Sequence, residues 1–159
     1  MISVTADSPV GKLTLSSDGE ALCALRFGEG GHDAPDEIIE KALCELDEYF
    51  AGRRTAFDIP LRPSGTEFQR AVWTALASIP YGQTRSYADI AAAVGSPLAC
   101  RAVGMANHRN PIAVIIPCHR VIGKDGSLTG YAGGVGVKKL LLSLEKAGVG
   151  CFTQDDLKG

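Results

Sequence analysis

The sequence feature that most limits the fold is a change of hydrophobic pattern near Pro63-Ser64-Gly65. Before this point, three segments alternate apolar and polar residues and predict short strands joined by hairpin turns, at residues 1–6, 11–17 and 21–27. Asp36 to Phe50 then predicts a helix with an apolar stripe and acids on its opposite face. Beyond the change the pattern is mainly helical. We therefore expect an α/β unit, a mainly helical unit and a tail, at residues 1–63, 64–150 and 151–159.

Two short helices in the second unit form a helix-turn-helix pattern. Ser86 is placed to begin the first, which Gly95 ends, and Ser96-Pro97 favours the start of the second. That second helix runs until Asn110-Pro111. It carries one long cation, Arg101, among small residues that allow close approach to a groove wall: Ala99, Ala102, Gly104 and Ala106. Ordinary packing between helices, with the arginine on the surface, explains the same residues equally well.

The main candidate for chemistry is the thiol of Cys118, which stands between Pro117 and His119. We expect a strand over Ile112 to Ile116 to deliver it. The thiolate is the nucleophilic form of cysteine, and a neighbouring base or cation lowers the pKa of the thiol. For the dipeptide alone, a buried structural cysteine is the commoner explanation. A thiol hydrolase also needs an oxyanion hole and a histidine remote in sequence, for which the other histidines offer no clear candidate.

The glycine-rich segment from Gly133 to Lys138 is a turn rather than a phosphate-binding loop. It lacks the Gly-Lys-Ser/Thr ending, and no strand-loop-helix unit surrounds it. Glycine here lets the backbone approach a ligand closely. The last helix is expected over Val137 to Lys146, with Gly148 closing it.

The charge of the chain is unevenly distributed. Residues 1–62 hold 6 Lys/Arg against 12 Asp/Glu, whereas residues 63–159 hold 10 against 6. The segment from Arg85 to Lys124 has a single acid, Asp89, and five basic residues: Arg85, Arg101, Arg109, Arg120 and Lys124. A polyanion, if one binds, is therefore expected at the second unit.

The composition argues against several other classes of protein. The five cysteines are scattered without a Cys-x-x-Cys pair, and the three histidines are too dispersed for structural zinc. No apolar run approaches the roughly 20 residues that span a bilayer. The first residues lack the basic and apolar regions of a signal peptide. We therefore expect a cytoplasmic protein with free thiols and no metal.

Several motifs together resemble the O6-alkylguanine-DNA alkyltransferases, also called methylated-DNA–protein-cysteine methyltransferases. The resemblance is carried by Pro117-Cys118-His119-Arg120-Val121, by Asn110-Pro111 before it and by Gly130-Tyr131-Ala132-Gly133-Gly134 after it. Asp7 to Gly11 resembles the family's opening turn, and Phe68 to Glu145 is collinear with its C-terminal domain. The resemblance implies a three-stranded antiparallel sheet with helices, like ribonuclease H, joined to a mainly helical, winged-helix-like domain with a helix-turn-helix.

The resemblance also implies a direct-reversal DNA-repair reaction. An alkyl group passes from O6 of guanine, with O4 of thymine as a further possibility, to Cys118 in a single irreversible turnover. His119 is then the base that activates the thiol through a water, and Glu145 is the acid that orients the histidine. Asn110 matches the hinge before the active-site segment. Tyr87 matches the residue that helps to rotate the nucleotide out of the duplex and contacts the guanine.

The implied partner is double-stranded DNA that contains O6-alkylguanine. Arg101 matches the finger that fills the gap left by the flipped base. We expect DNA contacts from six residues of the helix-turn-helix: Ser86, Tyr87, Ala99, Arg101, Ala102 and Gly104. The expected guanine pocket comprises Val121, Tyr131 and Ala132. No cofactor, membrane or obligate protein partner is implied, and a monomer is expected.

Two departures from the family and two rival functions stay open at this point. Asp18 and Cys23 fall where some members carry zinc ligands, so zinc is not expected. Some relatives have serine at the position of Ala132, where the family's contact to O6 comes from the backbone N–H. A non-catalytic helix-turn-helix protein that binds altered bases, or a thiol hydrolase, is the alternative to alkyl transfer.

Overall fold

The first unit contains the three predicted strands. The computed structural model describes residues 1–128 and 130–148, so the predicted tail lies outside it. The strands form one antiparallel sheet in the order β1 (Ile2–Ala6), β2 (Leu13–Ser17) and β3 (Leu22–Phe27). Val4 pairs with Leu15 and Leu15 with Leu25, and all three side chains are buried. The sheet therefore presents one apolar face, as its alternating sequence requires.

Helix α1 (Glu37–Phe50) packs against this sheet. The carboxylate of Asp36 caps it by accepting from the N–H of Ile39 at 2.9 Å. The expectation that its acids all lie on the outer face is wrong for Glu45, which is buried and accepts from the N–H of Asp58 at 2.7 Å. Tyr49 is also buried on the inner face. The helix thus brings polar groups as well as apolar ones into the interior.

The second unit is mainly helical, which confirms the predicted fold class. Its helices are α2 (Glu67–Ala77), α3 (Tyr87–Ala93), α4 (Cys100–His108) and α5 (Val135–Ala147). Complete capping boxes, from Thr66 and from Ser86, begin α2 and α3. Two short strands of this unit, β4 (Arg85–Ser86) and β5 (Val121–Ile122), pair in parallel. The pairing links the start of α3 to the segment that follows the 3₁₀ turn Cys118–Arg120. None of the helices in the described part is long and apolar enough to cross a membrane.

Helix α4 begins later than predicted. The N–H of Ala99 donates to the carbonyl of Ser96 at 2.9 Å and closes a turn, which the Ser96-Pro97 pattern does not distinguish from a helix start. Ala99 itself has φ −97° and ψ 33°, outside the helical region. Leu98, at the tip of the turn, is 99% exposed. Arg101 therefore lies in the first turn of α4 rather than in its middle.

The segment before Cys118 is a looped chain rather than the predicted strand. Across Ile112 to Ile116, the last N–H donates back to the first carbonyl at 3.0 Å, so the segment turns locally. Val114 has φ +69°, a conformation that an extended strand excludes. One contact of strand type is present, a bridge between Ile112 and Leu25 of β3. The thiol is thus delivered by a compact loop that rests on the sheet.

The two units share one continuous hydrophobic core. The N–H of Leu25 donates to the carbonyl of Pro111 at 2.8 Å, and the N–H of Ala113 donates to the carbonyl of Leu25 at 3.0 Å. These bonds fix the loop before Cys118 to the central part of β3. The first unit consequently supports the thiol-bearing segment directly.

The junction between the units has a steric requirement at Gly65. A Cβ there would lie 2.7 Å from Cζ3 of Trp73, whose indole N–H donates to the carbonyl of Ala106 at 2.8 Å. Because the ring is buried and hydrogen-bonded, it has little room to move.

We predict that Gly65→Ala lowers the free energy of unfolding by about 2 kcal/mol, the usual cost of overpacking. Gly136→Ala is the matched control, since a Cβ at this α5 position meets nothing within 4 Å. The control should be neutral or stabilised by about 0.5 kcal/mol through helix propensity. Urea denaturation of both variants measures the difference, and equal stabilities would contradict the steric argument.

Candidate active site

Cys118 is the first residue of a single 3₁₀ turn, Cys118–Arg120, and its side chain is buried. Asn110 shapes the loop that leads to it. The side-chain N–H of Asn110 donates to the carbonyl of Ile116 at 2.7 Å, and its side-chain oxygen accepts from the N–H of Ile112 at 3.0 Å. Asn107 donates to the carbonyl of Cys118 itself at 3.4 Å. Two amide side chains therefore hold the backbone on both sides of the thiol.

His119 and Glu145 are in contact. Nε2 of His119 lies 2.6 Å from Oε2 of Glu145, and both side chains are buried. An ionised carboxylate only accepts hydrogen bonds, so the proton of the neutral imidazole is on Nε2. Nδ1 is buried and accepts no hydrogen bond from the described residues. It is the nitrogen left to accept a proton.

The carboxylate of Glu145 is held by further donors from three parts of the chain. Arg120 binds both oxygens, with Nε 2.7 Å from Oε1 and Nη2 3.0 Å from Oε2. The hydroxyl of Tyr49 in α1 donates to Oε2 at 2.5 Å. The N–H of Gly82 donates to Oε1 at 3.4 Å, from a turn with φ +79° that favours glycine. Glu145 is the central acceptor of this group of side chains.

These contacts determine the protonation of Glu145 and His119. Burial raises the pKa of Glu145, but hydrogen bonds and charges from His119 and Arg120 outweigh it and bring the pKa to about 2. Burial lowers the pKa of His119 below its ordinary 6.5, against the opposing effect of Glu145. Near neutral pH the site therefore holds an ionised carboxylate and a neutral imidazole.

Burial raises the pKa of the Cys118 thiol. The side-chain amide of Asn110 and the ammonium group of Lys138 oppose this rise only in part. The sequence suggested that a neighbouring base lowers the thiol pKa, whereas the resting thiol of the folded chain is protonated. A nucleophilic role for this thiol would therefore require that its proton pass to a base.

Lys138, Arg120 and Tyr49 are site residues to which the sequence assigned no role in the chemistry. Lys138 is buried in α5, where burial lowers its pKa and the neighbouring Cys118 raises it. A helical signal for Lys138 was available, because it precedes Glu145 by two turns and so lies on the same face. Tyr49 had no comparable signal, since its partner is 96 positions away.

The expected pocket residues surround the thiol unequally. Val121 is buried in β5, directly after the turn that carries the thiol. Tyr131 is buried. Burial is the main cause that raises the pKa of its hydroxyl, and the neighbouring Cys118 adds to the rise. Its ring packs edge-on against Phe27 of β3, with ring centroids 5.5 Å apart. Ala132 is exposed and lines the rim of a neighbouring cleft.

The helix-turn-helix places the expected DNA contacts on and beside α4. Arg101 and Ala102 are exposed there, whereas Ala99 is half-buried at the N-cap. Tyr87, the first residue of α3, packs beside Gly104, where a Cβ would lie 4.0 Å from its ring. The sixth expected contact is Ser86. Its hydroxyl accepts from the N–H of Asp89 at 3.1 Å and so serves as a helix cap.

The basic surface is smaller than the sequence suggested. Arg120 is buried and paired with Glu145, so it does not contribute to a face for a polyanion. Within residues 1–128 and 130–148, no group of three or more His, Cys, Asp or Glu side chains is arranged to hold a metal ion. Asp18 instead accepts from the N–H groups of Glu20 and Ala21, each at 2.9 Å.

Comparisons with known proteins cover both units. Residues 1–63 match the family model for the ribonuclease-like domain of 6-O-methylguanine DNA methyltransferase, and residues 67–147 match the model for its DNA-binding domain. A methylated-DNA–protein-cysteine methyltransferase of Mycobacterium tuberculosis is 51% identical over 150 residues, which cover 90% of this chain and 91% of that protein. A protein of the same name from Methanosarcina acetivorans is 50% identical over 147 residues, covering 87% and 94% respectively.

A solved structure agrees with these matches. The crystal structure of Mycobacterium tuberculosis OGT in complex with DNA superposes with a TM-score of 0.88 and 46% sequence identity. It covers 100% of both chains.

The low pKa of Glu145 predicts an acid-dependent stability. A carboxyl group whose pKa falls from 4.5 in the unfolded chain to about 2 in the folded chain stabilises the fold above pH 4.5. That contribution, on the order of 3 kcal/mol, is lost as the pH falls toward 2. The Glu145→Gln variant lacks this contribution to the free energy of unfolding at every pH. The difference in free energy of unfolding between wild type and variant should therefore narrow on acidification.

Denaturant unfolding at pH 6 and pH 3 measures this difference. Asp47→Asn, which removes an exposed carboxylate from α1, should differ little from wild type at both values. A gap for Glu145→Gln that stays constant between the two pH values would refute the assignment of the low pKa.

Proposed function

This chain belongs to the methylated-DNA–protein-cysteine methyltransferase family, and we propose that it repairs DNA by transferring the alkyl group of O6-alkylguanine to Cys118. One observation carries the proposal. The buried thiol of Cys118 directly precedes His119, and the imidazole of His119 binds the buried carboxylate of Glu145, which Arg120 also binds. This arrangement supplies a nucleophile, a base and a group that stabilises the charged base. It needs no cofactor, because the substrate carries the group that is transferred.

The reaction is a substitution at the alkyl carbon. The sulfur of Cys118 forms a bond to that carbon while the bond from the carbon to O6 breaks. The thiol proton passes through a water to Nδ1 of His119, the nitrogen that Glu145 does not bind. The leaving guanine takes a proton at N3 from the hydroxyl of Tyr87, which then recovers one from solvent. Exchange with water moves the guanine proton from N3 to N1, and His119 releases the thiol proton to solvent. The products are intact guanine in the DNA and a thioether on the protein.

The charges around the thiol favour this proton transfer. The ionised carboxylate of Glu145 stabilises the imidazolium that forms on His119. The buried ammonium group of Lys138 stabilises the thiolate. Because burial keeps the resting thiol protonated, reactivity depends on these groups acting together.

A single turnover follows from the chemistry of the product. A thioether sulfur bonded to carbon has no ready leaving group, so a further thiol would have to remove the alkyl group. In the part of the chain that the structure describes, the other cysteines are Cys23, Cys44 and Cys100, and each is at least partly exposed while Cys118 is buried. We therefore propose that each molecule is consumed once.

Base flipping is the step that brings the substrate to the thiol. A methyl group inside a duplex cannot reach a side chain that is 5% exposed, so the nucleotide must rotate out of the stack. Arg101, exposed in the first turn of α4, is proposed to enter the gap. Tyr87 and Gly104 form the neighbouring contact between α3 and α4. We propose that a cytoplasmic monomer carries out these steps on double-stranded DNA.

One prediction from the proposed function concerns the nucleophile. Cys118→Ala should gain no mass after incubation with an O6-methylguanine duplex, while wild type gains one methyl group in place of a proton. DNA affinity should survive, because α3 and α4 are unchanged. Cys44→Ala, which removes an exposed thiol from α1, is the matched control and should react like wild type. Intact-mass spectrometry and peptide mapping measure both.

If the wild-type protein stayed unmodified, alkyl transfer would be excluded. A non-catalytic protein that binds altered bases would then be the remaining explanation. Repeated turnover on an ester or amide would instead indicate a thiol hydrolase. An O4-methylthymine duplex, run in parallel, tests the second lesion in the same assay.

Another prediction from the proposed function concerns the arginine finger. If Arg101 recovers about 2 kcal/mol of the cost of flipping, Arg101→Ala should slow repair in duplex DNA roughly 30-fold. Reaction with a free O6-alkylguanine base should keep its rate, because no flipping is involved. Arg53→Ala, an exposed charge in the first unit, is the control for loss of one positive charge. Equal slowing with both substrates would show that Arg101 does not act as a finger.

A further inference from the structure

Tyr49 of the first unit reaches the catalytic group of the second. It lies in the last turn of α1, is fully buried, and donates its hydroxyl hydrogen to Oε2 of Glu145 at 2.5 Å. The same oxygen lies 2.6 Å from Nε2 of His119. Nη2 of Arg120 also lies 3.0 Å from this oxygen. Three donors therefore share one carboxylate oxygen, and Tyr49 is the donor that comes from the first unit.

The ring of Tyr49 is fixed on several sides. Its centroid lies 5.4 Å from that of Phe50, 5.4 Å from that of Phe57 and 6.2 Å from that of Tyr81. These contacts involve the ring and not the hydroxyl, so removing the oxygen alone leaves the packing in place. Arg120 still holds both oxygens of Glu145 when that hydroxyl is gone.

When several donors share one acceptor oxygen, each hydrogen bond to that oxygen is weaker. A proton on Nδ1 makes the imidazole a cation, and the cation gains most from an oxygen that no other group neutralises. The hydroxyl of Tyr49 already neutralises part of the charge on Oε2. Protonation of His119 is therefore less favourable with the hydroxyl present than without it. A base must be unprotonated to accept the thiol proton, so this effect keeps His119 ready.

We propose that Tyr49 is a positioning residue of the transfer reaction, which holds Oε2 of Glu145 and keeps His119 in its neutral, proton-accepting form. The role rests on the proposed function for its effect on repair. Its effect on His119 itself does not depend on the substrate. The ribonuclease-like unit would thereby take part in the chemistry as well as in the fold.

Other charged and titratable groups also face this cluster. They come from the turn after α2, the 3₁₀ turn, the loop before α5 and α5 itself: Tyr81, Cys118, Arg120, Tyr131, Lys138 and Glu145. Tyr49→Phe changes none of them.

The test is the titration of His119 in Tyr49→Phe, followed by NMR of labelled histidines between pH 4.5 and 8. We expect the midpoint for His119 to rise by about half a unit to one unit, since one competing donor is lost. The exposed His32 and His108 serve as internal references for the resonance of the buried His119. The acid limb of the rate of transfer to an O6-methylguanine duplex should move in the same direction. Below the midpoint, the variant should be about three- to ten-fold slower than wild type.

Tyr81→Phe is the matched control. It removes a hydroxyl from a ring next to Tyr49, but that hydroxyl is 3.5 Å from the carbonyl of Leu144 and does not bind Glu145. Its midpoint and acid limb should equal those of wild type. A purely structural role for Tyr49 would lower thermal stability and the rate at every pH, without moving either midpoint.

A second variant keeps the test decisive if Tyr49→Phe folds poorly. Site-specific 3-fluorotyrosine at position 49 keeps the hydroxyl and makes it a stronger donor, so the midpoint for His119 should fall. An unchanged midpoint in both variants, or a shift of the same sign in both, overturns the proposal. Failure of wild type to form an adduct at Cys118 overturns the proposed function instead, while the titration still decides the role of Tyr49.

Discussion

The structure depends on one buried carboxylate, that of Glu145. It balances the charge of Arg120, binds the imidazole of His119 and accepts a hydrogen bond from the hydroxyl of Tyr49. Removing one partner of a buried ion pair usually costs 3–5 kcal/mol in proteins, because the other charge is left uncompensated. The same contacts that set the chemistry thus also hold α5, the 3₁₀ turn and α1 together. Loss of this carboxylate is therefore expected to lower stability and reactivity together.

The sheet of the first unit supports the active site through the loop before Cys118. Leu25 of β3 bonds to that loop on both sides of Ile112, and Phe27 packs on Tyr131. A Cβ at Gly133 would lie 2.8 Å from the ring of Phe27, so glycine is needed for this close packing. The ribonuclease-like unit therefore fixes the two loops that flank the thiol.

Local signals predicted the elements, whereas contacts distant in sequence determined the site. The strands followed from alternation, and the start of α3 followed from the helix-starting position of Ser86. The strand predicted before Cys118 was wrong, because Asn110 closes that apolar segment into turns. The partnership of Tyr49 and Glu145 depends on how α1 and α5 pack, and no periodicity within either helix contains that information. The roles of the site residues came from a resemblance to a family.

Burial of the thiol protects the proposed nucleophile before the substrate binds. An exposed thiolate would be open to oxidation and to other electrophiles, whereas the raised pKa of Cys118 keeps its sulfur protonated at rest. A proton must then leave when the substrate arrives, and the neutral imidazole of His119 can accept it while Glu145 is already ionised. In the proposed reaction the base is therefore prepared before binding, and the nucleophile is made only when the substrate is present. Under the proposed single turnover this order matters most, because every unproductive reaction of the sulfur would consume a molecule.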